Sequence, residues 1–251
     1  MARSSAMFAV ALLLLSGLPQ AARADRADAI AALAGIGGAS GILCTVMAMK
    51  DSRNDDPLTE DERKKSFTRR GPTVGMLMSY AVDTFENDVQ SSFRSAADEP
   101  LNLSIKDTLG LKSRAGYRCN KYVSSELQLE WLDGFDGSVF QDGAGRILSA
   151  NYEPIVITAN ARFYWPIGEG RFQPFAMIGP GLLTLKTKLR SSTGQRNTDR
   201  DTEFAIRSGL GLDYYLNSNV VLTIESDYLR GFNKLNDIDY VTVSGGVQYR
   251  F

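Results

Sequence analysis

The chain has 251 residues, 28 basic and 29 acidic, with a net charge of −1 and no histidine. Balanced charge excludes the strongly basic surface of a nucleic-acid binder, and the missing histidines exclude Ser-His and Cys-His catalytic pairs and His-ligated metals. Two cysteines are too few for a thiolate zinc site or a disulfide-rich scaffold, and 43% hydrophobic residues are too few for a bundle of membrane-crossing helices.

At the N-terminus, Arg3 precedes an apolar core, Phe8 to Leu18, and Ala22-Arg23-Ala24 forms an A-x-A site. The pattern predicts a secretory signal peptide over 1–24, cut after Ala24; an uncleaved anchor is the other reading, for which the core is short. A second uncharged stretch, Ala29 to Met49, has the length of a membrane helix but is dominated by Ala, Gly, Ser and Thr, so a periplasmic helix or loosely ordered segment is expected instead. Leu43 is too large to precede a lipoprotein cysteine at Cys44. Lys50 to Arg70 is highly charged and reads as a solvated linker, which makes 25–70 a periplasmic segment.

From Gly71 onward apolar residues alternate with polar ones, the period of strands with one apolar and one polar face. Thr73 to Asp83 puts Val74, Met76, Met78, Tyr80 and Val82 on one face. Leu109 to Arg118 sets Leu109, Leu111, Ala115 and Tyr117 against Lys112, Arg114 and Arg118. Tyr122 to Leu132 sets Val123, Leu127, Leu129 and Trp131 against Glu126, Gln128 and Glu130. Ile155 to Trp165 sets Ile155, Ile157, Ala159, Ala161, Phe163 and Trp165 against Thr158, Asn160, Arg162 and Tyr164. In Phe172 to Leu189 the apolar face is read as Phe175, Met177, Leu183 and Leu185. Glu203 to Leu216 sets Phe204, Ile206, Leu210, Leu212 and Tyr214 against Arg207 and Asp213. Asn219 to Tyr228 sets Val220, Leu222, Ile224 and Tyr228 against Thr223, Glu225 and Asp227. Val241, Val243, Val247, Tyr249 and Phe251 form the apolar face of the last strand. Cys119 to Lys121, Pro166 to Arg171 and Asn217-Ser218 are short turns. Thr84 to Thr108, Asp133 to Pro154, Arg190 to Thr202 and Arg230 to Asp239 read as long loops. The expected fold is all-β: an eight-stranded antiparallel up-and-down transmembrane β-barrel over 71–251.

Alternation alone does not say which face points inward, since a soluble barrel would turn the apolar face in. Aromatics at the strand ends favour the reverse. Tyr117, Phe163, Trp165, Phe175, Tyr214, Tyr249 and Phe251 fall near the short turns, and Tyr80, Trp131 and Tyr228 near the long loops, as two interfacial girdles do. Charges of both signs at mid-strand would each cost about 2–4 kcal/mol against lipid but can neutralise one another in a narrow lumen. The candidate lumen network is Arg114, Arg118, Glu126, Glu130, Arg162, Arg207, Glu225, Asp227 and Arg250, with Arg114 expected opposite Glu126 across a three-residue turn.

The terminal aromatic Phe251, with Tyr249, Val247 and Val243 alternating behind it, resembles the C-terminal signal read by the outer-membrane assembly machinery. Gly209 to Tyr228 (GLGLDYYLNSNVVLTIESDY) and GPTVGMLMSYAVD are similar to strands of the opacity-protein and outer-membrane-protein-A type of small barrels. The resemblance implies a side-chain-filled barrel in a Gram-negative outer membrane, with outer-membrane lipid, lipopolysaccharide and the barrel assembly machinery as partners, and no enzyme.

Other constellations weigh less. Asp133, Asp136 and Asp142 do not have the spacing of a calcium loop, and Gly209-Leu210-Gly211 lies within a strand rather than at a phosphate. No metal, cofactor or nucleic acid is expected. Cys44 and Cys119 would both lie on the periplasmic side, within reach of a disulfide; two free thiols are the alternative. The expected function is an integral outer-membrane barrel with a structural or porin-like role. The alternatives are a surface adhesin or ligand-binding protein using the long loops, with Phe85 and Phe93 in the longest and its partner open, and a lipid-modifying enzyme, which the absent histidine disfavours.

Overall fold

The computed structural model describes residues 66–83, 101–105, 107–141, 145–191, 196–232 and 239–251. The expected signal peptide, the Ala29 to Met49 stretch, Cys44, Phe85, Phe93 and Asp142 lie outside them. Among the described residues no helix is long and apolar enough to cross a membrane.

A chain of two-faced strands can hide its charged half only by closing the sheet on itself, and this sheet closes. Among the described residues ten strands form: β1 (Gly71–Asp83), β2 (Leu101–Ile105), β3 (Thr108–Arg118), β4 (Val123–Leu132), β5 (Phe135–Gln141), β6 (Gly145–Tyr164), β7 (Phe172–Ser191), β8 (Arg196–Tyr215), β9 (Val220–Gly231) and β10 (Asp239–Arg250). The order is β2-β5-β6-β4-β3-β1-β10-β9-β8-β7, and β7 also pairs β6. Eight of them therefore close a ring, β1, β3, β4, β6, β7, β8, β9 and β10, each antiparallel to its neighbours.

The remaining two continue ring strands past the barrel. β6 pairs β4 from Ile155 to Phe163 and β5 from Gly145 to Tyr152, so β4 and β5 are one strand broken at Asp133-Gly134. Gly134 has φ +114°, a conformation only glycine adopts without strain. The segments Asp133 to Pro154 and Arg190 to Thr202, read from sequence as loops, are thus largely paired strand, and β6, β7 and β8 each run 20 residues. The reason is physical: beyond the bilayer neither face must be apolar, so alternation fades while the hydrogen-bonded ladder continues.

At the opposite end the turns are tight. Asn120 Oδ1 accepts from the backbone N–H of Tyr122 and Val123, both at 2.8 Å, and Asn217 Oδ1 accepts from Asn219 at 2.9 Å and Val220 at 2.8 Å. Such side-chain caps fix the register that brings the charged residues together.

The apolar face points outward. Met78 is 69% exposed, Leu210 67% and Ile224 64%, while Lys112, Glu130, Arg162 and Arg207 are each 0% exposed. Outward aromatics gather at two levels. Tyr117, Tyr122, Phe163, Trp165, Phe172, Tyr249 and Phe251 stand near the tight turns, and Tyr80, Trp131 and Phe204 at the other end of the ring. Strand β7 departs from the expected facing. Phe175, Met177, Leu183 and Leu185 point inward and are buried, and Ile178, at 54% exposure, takes the lipid side. Both faces of β7 are apolar there, so alternation could not choose between them. Phe175 is therefore no girdle residue; the Arg162 guanidinium lies 4.1 Å from its ring centre, inside the barrel.

Candidate functional site

The interior is filled in layers. The tight-turn mouth comes first. Arg250 donates to Ser66 O at 3.0 Å, Phe67 O at 2.7 Å and Ser218 O at 2.9 Å. Arg118 donates to Lys121 O and to Gln173 Oε1, both at 2.6 Å, and lies 3.8 Å from the Tyr164 ring centre. The Phe67 ring packs 5.7 Å from that of Tyr215, and Gln173 Nε2 donates to Phe67 O at 3.0 Å. Ser66–Arg70, read from sequence as the end of a solvated linker, is thus a strap across the mouth. Cys119, beside it, is disulfide-bonded; the chain's other cysteine, Cys44, lies outside the described residues.

Above this mouth sits the ion-pair core. Arg162 donates to Glu225 Oε2 at 2.7 Å, and its Nε lies 3.0 Å from Glu126 Oε1. Arg114 donates to the same Glu225 oxygen at 2.8 Å. Lys112 Nζ reaches Asp227 Oδ2 at 2.5 Å and Thr242 Oγ1 at 2.7 Å, with Glu130 at 3.5 Å and Glu225 at 3.7 Å. Arg207 bridges Asp227 Oδ1, at 2.5 Å, and Glu130. Asp213 accepts from Thr223 at 2.6 Å and Gln248 at 3.2 Å. A buried charge is costly unless it meets an opposite one. Here each lysine or arginine of the core meets at least one carboxylate.

An apolar layer closes the far end. Ala81, Leu132, Phe135, Val156, Leu183, Leu185, Ala205, Leu229 and Tyr240 pack together inside the ring, and the Tyr240 hydroxyl ties the layer to Glu130 Oε2 at 3.2 Å. A cavity of about 10 Å³ remains beside Arg118, Glu126, Tyr164 and Asp213, room for a single water at most.

All nine sequence-predicted lumen residues are buried and inward, but not in the expected pairs. Arg114 stands opposite Gln128, and Gly116 opposite Glu126, because the β3–β4 register is shifted by two residues from a three-residue turn. Arg114 reaches Glu225 across the lumen instead. Arg118 and Arg250 lie at the tight-turn mouth, Arg250 on the strap carbonyls and Arg118 on Gln173 and the carbonyls of the β3–β4 turn, and neither is paired with a carboxylate among the described residues. Lys112 and Asp213 join the core unpredicted, though both share the inward parity of their strands. Val243, Val247 and Tyr249 face outward on β10, and Phe251 lies just past its end, donating its N–H to Pro72 O at 3.1 Å.

The sequence matches the outer membrane protein beta-barrel domain over residues 43–251. The chain belongs to that family. It is an integral β-barrel of the outer membrane, and membrane lipid is the medium its exposed apolar wall meets. Outer membrane protein A of Serratia marcescens is 26% identical over 153 residues, which cover 58% of this chain and 40% of that protein; the chain therefore spans less than half of this relative. Among solved structures, the outer membrane protein OprG from Pseudomonas aeruginosa is similar, at 14% identity and TM-score 0.47, over 74% of this chain and 98% of that one. Ail, the attachment invasion locus protein of Yersinia pestis, is similar at 17% identity and TM-score 0.42, over 72% of this chain and 97% of that one.

Proposed function

We propose that this outer-membrane barrel is a closed structural anchor rather than an open pore, and that it performs no catalysis. The supporting observation is the three-layer filling: the strap Ser66–Arg70 at one mouth, the core of Lys112, Arg114, Arg162 and Arg207 with their carboxylates, and the apolar layer around Phe135 and Tyr240. An ion crossing such a lumen must break buried pairs one after another. The short turns face the periplasm and the long strands face outward, as in other transmembrane barrels. The outward wall sits among outer-membrane lipids, with lipopolysaccharide in the outer leaflet. Val243, Val247, Tyr249 and Phe251 serve as the segment the assembly machinery reads. Planar-bilayer recording tests the anchor reading. Folded protein is expected to give no sustained conductance, and steady single-channel steps from the purified wild type would overturn it.

A second reading has its own support. β6, β7 and β8 continue beyond the lipid-facing rows, and β5 and β2 extend the same sheet. A raised sheet of this kind suits a ligand-binding or adhesive surface. Deleting 84–107 should then abolish cell binding, and unchanged binding would remove the adhesin reading for that segment.

A further inference from the structure

Every neighbouring pair of strands in the ring is consecutive along the chain except one. That pair is β1 with β10, where the ring closes, and no turn or loop runs between them. Their ladder extends from Thr73↔Arg250 at the tight-turn mouth to Asp83↔Tyr240 at the other end. At the same mouth the β3–β4, β6–β7 and β8–β9 neighbours are pinned by tight turns. The Thr73↔Arg250 rung has no turn beyond it, and the end of a ladder left in that state opens first.

The strap sits on that rung. Arg250 donates to Phe67 O at 2.7 Å and to Ser66 O at 3.0 Å, and Arg69 Nη2 donates back to Arg250 O at 3.3 Å, so both the side chain and the main chain of Arg250 are tied to it. Just past the rung, the Phe251 N–H reaches Pro72 O across the seam at 3.1 Å. The strap's other anchors lie on different strands. Gln173 of β7 donates to Phe67 O at 3.0 Å, the Phe67 ring centre is 5.7 Å from that of Tyr215 on β8, and the Arg171 guanidinium lies 5.4 Å from the Phe67 ring. Ser66–Arg70 thus joins the one unlinked seam to the β6–β7 turn and to β8, where the chain itself is continuous.

We propose that the strap is a clasp on the closing seam: docked on Phe67 and Arg250, it stands in for the missing turn between β1 and β10 and keeps the finished ring from unzipping there. A clasp of this kind acts whether or not the lumen conducts. Its dock is built from β7, β8 and β10 together, so it forms only after the last strand has paired. Contacts made that late leave the folding rate alone and slow unfolding. Loosening the strap at Tyr215, away from the seam, must then loosen the seam.

The test uses the full chain folded in neutral-detergent micelles without reductant, so that the Cys119 disulfide is intact in every sample. Phe67→Ala removes the ring that packs on Tyr215 and Arg171. Hydrogen exchange of the Phe251 amide is expected to rise about threefold to tenfold, the worth of one aromatic pair. Unfolding in urea, followed by loss of the heat-modifiable gel form, should speed by a similar factor, with the folding rate and exchange in β4 and β6 as in wild type. Asn120→Ala loosens the β3–β4 turn at the same mouth and should leave Phe251 exchange unchanged. Phe251 exchange that Phe67→Ala does not raise, or that Asn120→Ala raises equally, would overturn the clasp. So would slower folding with an unchanged unfolding rate, or a Phe67→Ala chain that never reaches the heat-modifiable form, since the strap would then be needed to make the barrel rather than to keep it closed.

Discussion

Arg207 shows how the interior is held. Its guanidinium is fully buried between Asp227 and Glu130, and Glu130 also meets Lys112 and Tyr240. Removing one partner of such a cluster leaves charges buried without compensation, which typically costs about 3–5 kcal/mol. Arg207→Ala should lower the urea midpoint of the folded barrel accordingly. Arg207→Met combined with Glu130→Met should lose much less, because both charges leave together; equal losses for the single and double variants would contradict the pairing. On the outer wall the logic inverts. Leu210, 67% exposed, is surrounded by acyl chains, and Leu210→Arg should destabilise the protein in lipid by about 2–4 kcal/mol. A neutral result would place that face in water. Gly246 allows its strand to approach β1: an added Cβ would meet Met76 O at 2.1 Å and Leu77 Cα at 2.5 Å. Gly246→Val should therefore fold poorly, read as loss of the heat-resistant gel species.

At the scale of elements, the strap and the turns carry the testable content. Ser66–Arg70 is held by Arg250, Gln173 and the Tyr215 ring. Arg250→Ala should speed hydrogen exchange in the strap by severalfold while leaving β6 and β7 unchanged; equal rates would show that the strap is held by something else. A Cys44–Cys119 disulfide would tether the segment before the strap to the turn after β3. Non-reducing electrophoresis should then show a faster, compact band that slows on reduction, and thiol labelling that counts two free cysteines would rule the bond out. The ring strands were legible in sequence wherever lipid lies on one side and charge on the other, as in β1, β9 and β10. The facing of β7 was not, because Leu183 and Leu185 complete an apolar layer inside the lumen while Ile178 and Leu182 meet lipid outside. β5 was illegible for a different reason: beyond the bilayer its side chains need not alternate, and its pairing with β6 and β2 defines it, while β2 (LNLSI) alternates but is only five residues long within a stretch read as a loop. The strap escaped notice because its contacts are made largely by backbone carbonyls, which leave no trace in residue type.

For the whole molecule, closure explains both faces at once. Eight paired strands leave no free ladder within the ring, the charges turn inward where they cancel, and the apolar wall turns outward. The lumen network was foreseeable in its membership but not in its pairing, since partners such as Arg114 and Glu225 meet across the lumen from strands more than a hundred residues apart. The chain's two tryptophans give the most direct test of the wall. Trp131 and Trp165 both face outward, 49% and 58% exposed, one at each aromatic level. In vesicles of brominated lipid, each single-tryptophan variant (Trp131→Phe or Trp165→Phe) should be strongly quenched, most by bromines near the headgroup and least by bromines at the chain end. Fluorescence that bromine leaves untouched in both variants would contradict a barrel whose apolar side meets lipid.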